Sequence, residues 1–317
     1  MDTPVSKYVK KGRAEKFTWN NPLFTKEKQQ NIKRLMFERG PGNGKLLILP
    51  IDHGMEHGPS DMLDCPWAIN PEHHFELALK GNYNAIAVHI GLAEKYWKRS
   101  QYNKIPLILK VNGKTNIPSS DEALSSLTSS VEDALRLGAT AVGYTLYVGS
   151  PRQDKDFEIF NQVRKEALKA NLPVIMWAYP RGKYVKEMGG KNNFAAVSYG
   201  ARVACELGAD IVKVNEPELP ELPDNKYPET NKYASKYNPL LTMSTSEMLG
   251  WVLACAGKTG VLISGGSKLG DEDLLAKVKR DVAAGVDGLI FGRNMWQRSL
   301  EESLELTKKV IDILKKD

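Results

Sequence analysis

Four short junctions recur along the chain with one grammar: KGNYNAIAV at 80–88, LGATAV at 137–142, LGADIV at 207–212 and AGVDGLI at 284–290. In each, a glycine follows an amphipathic stretch, a short polar turn follows the glycine, and an apolar run begins. A glycine just past a helix end readily takes the backbone that closes the helix, so the pattern reads helix, turn, strand. Three further runs open apolar strands after a proline or glycine: KIPLILK (104–110), NLPVIMW (171–177) and KTGVLIS (258–264). LLILPIDHG (46–54) stands in front of them all.

The reading predicts eight strands, near 46–52, 85–90, 106–112, 141–148, 173–179, 211–215, 261–265 and 288–292. Apolar residues at three- and four-residue spacing predict helices in DEALSSLTSSVEDALRLG (121–138), DFEIFNQVRKEALKANL (156–172) and FAAVSYGARVACELG (194–208). STSEMLGWVLACAG opens with a capping-box pattern, Ser244 to Glu247. Eight strands alternating with helices imply an α/β fold, a (β/α)8 TIM barrel, with a doubly wound open sheet as the alternative. The barrel is assigned residues 46–317 and an N-terminal extension residues 1–45, in which KEKQQNIKRLMFER (26–39) is an amphipathic helix expected to cap the barrel bottom. The polar, proline-bearing stretch 217–243 reads as an insertion after strand 6.

The 317 residues are 42% hydrophobic and 26% charged, ordinary for a soluble globular chain. A net charge of +6 suits anionic substrates but is too mild to imply nucleic acid. No apolar run is long enough for a membrane helix, and the N-terminus lacks a signal-peptide core. The cysteines, at 65, 205 and 255, are odd in number and form no CxxC pair, which points to a reducing compartment, the cytoplasm.

Barrels of this kind carry their chemistry at the C-terminal ends of the strands. Strand 6, in DIVKVNE (210–216), is a buried-type run that contains a lysine. Burying an ammonium is costly, so a buried lysine tends to lose its proton, and a neutral lysine is a nucleophile. Parity puts Lys213 and Asn215 on one face, and Trp177, Tyr179 and Arg181 on one face of strand 5. Both faces are expected to point into the barrel mouth, which sets the lysine beside a phenol and a guanidinium. An outward lysine lying along a helix is the competing reading.

ISGGS (263–267) and FGRN (291–294) end strands 7 and 8, where loops commonly hold phosphate through glycine N–H groups. Gly265, Gly266 and Gly292 let the backbone approach, and Arg293 adds charge. Asp52, His53 and His57 follow strand 1 and suit proton transfer or hydrogen bonding to sugar hydroxyls, although Asp52 could instead cap a turn. Four of the five histidines precede residue 75 and strands 5 to 8 supply none, so no catalytic metal is expected. His73 and His74 read as an exposed helix start, and Lys110 and Lys114 as lysines at least as suited to solvent as to substrate.

The motifs LPIDHGMEHGP, LKVNGKT, WAYPRG, VKVNEP, ISGGSK and IFGRNMWQ occur in the order found in the archaeal-type, or DhnA-type, class I fructose-bisphosphate aldolases, which the chain resembles from about residue 45 to 300. The resemblance implies a Schiff-base lysine at Lys213 and a tyrosine proton donor at Tyr179. It implies substrate contacts from Asp52, His53, His57, Trp177 and Arg181, and a phosphate held by Gly265, Gly266, Gly292 and Arg293 with Ser264 assisting. Metal independence, no cofactor beyond the imine, and a homo-oligomer are implied likewise.

The expected activity is reversible cleavage of fructose 1,6-bisphosphate. Lys213 is the imine former, Tyr179 handles protons, and Asp52 assists or holds hydroxyls. The expected partner is a small phosphosugar, with neither nucleic acid nor membrane. Three rivals remain: a related Schiff-base enzyme on another phosphosugar (an aminoshikimate-precursor synthase or a quorum-sensing sugar enzyme), a phosphosugar isomerase with no covalent step, and a non-catalytic barrel.

Overall fold

The structure is a computed structural model and describes residues 4–9, 16–98 and 101–316. Eight strands form a closed parallel barrel: β1 (Leu46–Ile51), β2 (Ala85–His89), β3 (Leu107–Lys110), β4 (Ala141–Leu146), β5 (Val174–Ala178), β6 (Ile211–Val214), β7 (Gly260–Ser264) and β8 (Gly288–Ile290). Each predicted strand is present, and β8 closes on β1 through Leu46 opposite Gly288. The cross-strand register sets His89, Lys110 and Gly143 in one row, and Thr145, Trp177, Lys213 and Leu262 in another.

Strand parity sorts the core into two populations. Leu46, Ile48, Ala85, Ala87, Ile108, Ala141, Ile175, Trp177, Ile211, Leu262 and Ile290 cluster inside the barrel. Their neighbours of opposite parity, such as Leu47, Ile86, Leu109, Val142, Met176 and Val212, pack outward against the helices. Ile32, Leu35 and Met36 of the helix Lys26–Phe37 belong to the interior cluster, so this helix lies against the barrel's inner residues. Lys28 of that helix pairs with Asp210 at 2.7 Å, in the turn just before β6.

The capping box predicted at Ser244 is formed, with Ser244 and Glu247 satisfying each other's backbone N–H groups. The helix predicted over 121–138 is much shorter, covering only Val131–Leu137. Residues 120–122 form a single 3₁₀ turn, and 126–127 pair with 112–113 as a two-stranded ribbon. Serines and a threonine fill this stretch, and their side chains compete with helical hydrogen bonds while making good caps. Ser130 takes that role, in a capping box with Asp133. His74 is also not where an exposed helix start would put it: it is buried, with Nε2 2.8 Å from the Ala68 carbonyl.

The stretch 217–243 folds back over the loop that follows β5. Glu218 exchanges backbone hydrogen bonds with Asn192 and Phe194, and the Glu221 N–H donates to Gly189. The Tyr227 hydroxyl donates to Asn193 and accepts from the Ala195 N–H.

Candidate active site

The C-terminal mouth of the barrel opens into a cavity with two connected lobes of about 520 and 400 Å³, which share Lys213, Tyr179, His53, His57, Arg181, Lys191 and Arg293. Lys213 is only 5% exposed. Its Nζ lies 5.3 Å from the Trp177 ring centre and 5.2 Å from that of Tyr179. Burial pulls its ammonium down to about 8, with Lys110 and Arg293 adding to the effect and Asp52 and Glu56 opposing it. The amine form is therefore readily reached near neutral pH.

Tyr179 is packed by burial and by the Asp52 charge so that its phenol stays protonated well above its ordinary range, Arg181 opposing only in part. The Arg181 guanidinium lies 5.2 Å from the Tyr179 ring centre and donates to the Pro180 carbonyl. Trp177 is fully buried and does not line either lobe, so the indole lies beneath the lysines rather than on the cavity wall.

Asp52 stands at the head of the short helix His53–Glu56, yet its side chain makes no capping bond. It faces Lys110 instead, 3.4 Å away. Burial alone would raise its carboxyl, but Lys110, His53 and Lys213 together hold it well below the usual carboxylate range. His53, with Nδ1 3.6 Å from Asp52, is drawn down to about 3 by burial, so it is neutral at physiological pH. His57 pairs with Asp61 at 3.2 Å, and its ring lies 5.1 Å from that of His53. Among the described residues, no group of three or more His, Cys, Asp or Glu side chains is arranged to hold a metal ion.

The smaller lobe is walled by Asn215, Ser264, Gly265, Gly266, Gly292 and Arg293. Ser264 donates to the Asn215 side-chain Oδ1 at 2.8 Å, and the Asn215 side-chain amide donates to Asn192 Oδ1. Gly266 adopts a left-handed φ of 69°. A Cβ on Gly292 would collide with the His53 ring and crowd the Pro50 carbonyl at 3.2 Å, so a side chain there would require His53 to move. Arg293 donates to the Gly266 carbonyl, which ties the β8 loop to the β7 loop.

Several residues at the mouth escaped the sequence reading. Lys110 is fully buried; its Nζ donates to Thr145 at 2.7 Å and lies 4.5 Å from the Trp177 ring centre. Gly143 makes this possible, because a Cβ there would meet Trp177 at 2.8 Å and Lys110 at 2.9 Å. Inward parity on β3 was the available signal, but a lysine at a strand end also suits solvent. Asn294 was missed as well. Its amide donates to the Gly265 and Ser267 carbonyls and its oxygen accepts from the Leu269 N–H, pinning the glycine loop. Lys191 lines both lobes from the loop that 217–243 folds over. Glu56 and Tyr147 line the larger lobe.

Comparison with known proteins identifies the family. The sequence profile of the DeoC/LacD family aldolases matches residues 46–298, and the chain belongs to that family. Class 1 fructose-bisphosphate aldolases from Thermoproteus tenax and Halobacterium salinarum are each 38% identical to it. The first aligns over 86% of this chain and 90% of its own, the second over 83% and 89%. A fructose-bisphosphate aldolase/6-deoxy-5-ketofructose 1-phosphate synthase from Methanocaldococcus jannaschii is 31% identical over 90% of this chain and 86% of its own. The fold is similar to a solved archaeal fructose-1,6-bisphosphate aldolase whose catalytic lysine is covalently bound to the carbinolamine intermediate of the substrate. That match has a TM-score of 0.74 and 34% identity, over 90% of this chain and 99% of the other.

Proposed function

We propose that the chain is a class I, Schiff-base fructose-bisphosphate aldolase that reversibly cleaves fructose 1,6-bisphosphate into dihydroxyacetone phosphate and glyceraldehyde 3-phosphate. The observation that carries the assignment to this chain's residues is Lys213, buried on the inward face of β6 between Trp177 and Tyr179 and opening on the cavity. Its neutral amine attacks the C2 ketone, and the carbinolamine loses water to give a protonated imine. Tyr179, its phenol having given its proton to the carbinolamine hydroxyl as this leaves as water, takes up the C4 hydroxyl proton as the C3–C4 bond breaks. The bonding pair flows to the iminium nitrogen, leaving an enamine and an aldehyde. Tyr179 returns its proton to C3, and water then releases dihydroxyacetone phosphate.

Asp52, kept ionised by Lys110, orients hydroxyls and steadies the cationic imine; the neutral His53, with His57, donates to the sugar. The loops with Gly265, Gly266, Gly292 and Arg293, assisted by Ser264 and Asn215, receive the proximal phosphate. Arg181 faces the distal one. Cations at both lobes favour a bisphosphate over a singly phosphorylated sugar. No metal or bound cofactor enters this scheme, because the imine is itself the electron sink.

Two wider inferences accompany this reading. Leu63, Trp67 and Ile69 expose 77%, 44% and 63% of their surface on one segment, which supports assembly into a homo-oligomer. The three unpaired cysteines support a reducing, cytoplasmic location. No helix among the described residues is long and apolar enough to cross a membrane.

The test is reductive trapping. Dihydroxyacetone phosphate with borohydride is expected to leave a reduced adduct on the peptide carrying Lys213, and an adduct on Lys110 or Lys268 would overturn the assignment. A coupled assay with fructose 1,6-bisphosphate and fructose 1-phosphate separates the bisphosphate reading from the other phosphosugar enzymes.

A further inference from the structure

The larger lobe holds a carboxyl that imine chemistry does not use. Glu56 lies one helical turn beyond Asp52, and with Tyr147 it lines this lobe and not the glycine-loop lobe. Its side chain is gripped from two sides. Oε2 accepts a hydrogen bond from the Tyr147 hydroxyl at 3.3 Å, and Oε1 lies 3.7 Å from Lys110 Nζ with no hydrogen bond of its own. Burial pushes the Glu56 carboxyl upward, and the neighbouring Asp52 charge adds to this against the pull of Lys110.

Charge sorts what each part of the lobe can hold. Lys114 and Arg181 also line it and suit a phosphate. A carboxyl beside a phosphate dianion is repelled, whereas a carboxyl beside a hydroxyl hydrogen-bonds. With C2 on Lys213 and the breaking C3–C4 bond at Tyr179, the next hydroxyl outward is the one on C5, ahead of the C6 phosphate.

We propose that Glu56, steadied by Tyr147, is a specificity-determining residue that binds the C5 hydroxyl of the ketose, which becomes the hydroxyl next to the aldehyde carbon of glyceraldehyde 3-phosphate. This rests on the aldolase reading above. A site that hydrogen-bonds a substrate hydroxyl discriminates against the analogue lacking it, because its own buried groups are then left unpaired.

The experiment compares fructose 1,6-bisphosphate with its 5-deoxy analogue. The wild-type enzyme is expected to prefer the parent by roughly tenfold to a hundredfold in kcat/KM. In Glu56→Ala this ratio is expected to collapse toward one, through loss on the parent alone, while Glu56→Gln retains part of it. No preference in the wild type, or an equal loss on both ketoses in Glu56→Ala, overturns the proposal and makes Glu56 a structural or proton-transfer group. If Glu56→Ala does not fold, Tyr147→Phe reads the same ratio: a fall supports the proposal and an unchanged ratio overturns it. Trapping of dihydroxyacetone phosphate by the wild type runs alongside. Its absence would refute the aldolase reading itself rather than the role of Glu56.

Discussion

Lys110 Nζ lies 3.4 Å from Oδ2 of Asp52, inside a mouth where the lysine is wholly buried and the carboxylate nearly so. The pair sits beside Lys213, so each charge shapes the other two. Asp52 favours the ammonium form of Lys213, and Lys110 disfavours it.

Lys110→Met is therefore expected to raise the Lys213 pKa, because a like charge is lost and Asp52 is freed as its partner. Each unit of that rise cuts the amine fraction roughly tenfold at neutral pH. Leaving a buried carboxylate without its partner is also expected to cost about 3 kcal/mol of stability. Urea unfolding and the pH dependence of imine trapping check both effects. An unmoved pH profile would make Lys110 a packing residue only.

With Lys213 titrating at about 8, the rate of imine formation in the wild type is expected to rise through that pH and level off above it. The sign follows from the lowered value: below it the side chain is an ammonium with no lone pair, and above it an amine. Cyanoborohydride trapping with dihydroxyacetone phosphate across pH 6.5 to 9.5 measures it. A midpoint near the ordinary lysine value of roughly 10.4 would show that burial does not activate Lys213.

Tyr179→Phe keeps the ring against Lys213 and Arg181 and removes only the hydroxyl. The variant is expected still to trap substrate, with water supplying the dehydration proton, yet lose cleavage by roughly 10²–10⁴, the usual worth of positioned proton transfer. Near-normal cleavage by a folded variant would pass the proton step to Asp52.

Arg293→Ala removes a cation of the glycine-loop lobe and its tie to the Gly266 carbonyl. KM is expected to rise roughly tenfold or more for both fructose 1,6-bisphosphate and fructose 1-phosphate, since both carry the proximal phosphate and a hydrogen bond to a charged group is worth about 1.5–3 kcal/mol. Steady-state kinetics on the two ketoses decide this, and unchanged KM values would leave the lobe without a phosphate.

Activity is expected to survive EDTA, because the protonated imine withdraws the electrons that a Lewis acid would otherwise take. Turnover lost on chelation and restored by zinc would refute the imine mechanism.

Local chemistry in the sequence determined the barrel and much of its mouth. The repeated glycine junctions end helices and start strands by short-range backbone preference, and a strand's alternation follows from its geometry, so inward Lys213 beside Trp177 and Tyr179 was legible before any contact was known. Tertiary structure decided the rest, because burial and pairing belong to residues far apart in the chain. Lys110 differs from a solvated lysine only once Asp52, Thr145 and the missing Cβ of Gly143 enclose it. His74 became buried because the Ala68 carbonyl and Trp296 close over it. The segment before Ser130 left its helical periodicity to pair 126–127 with 112–113. Glu56 acquired its surroundings in the same way: its immediate sequence neighbours are Met55 and His57, and only closure of the barrel brings Lys110 and Tyr147 to its carboxyl.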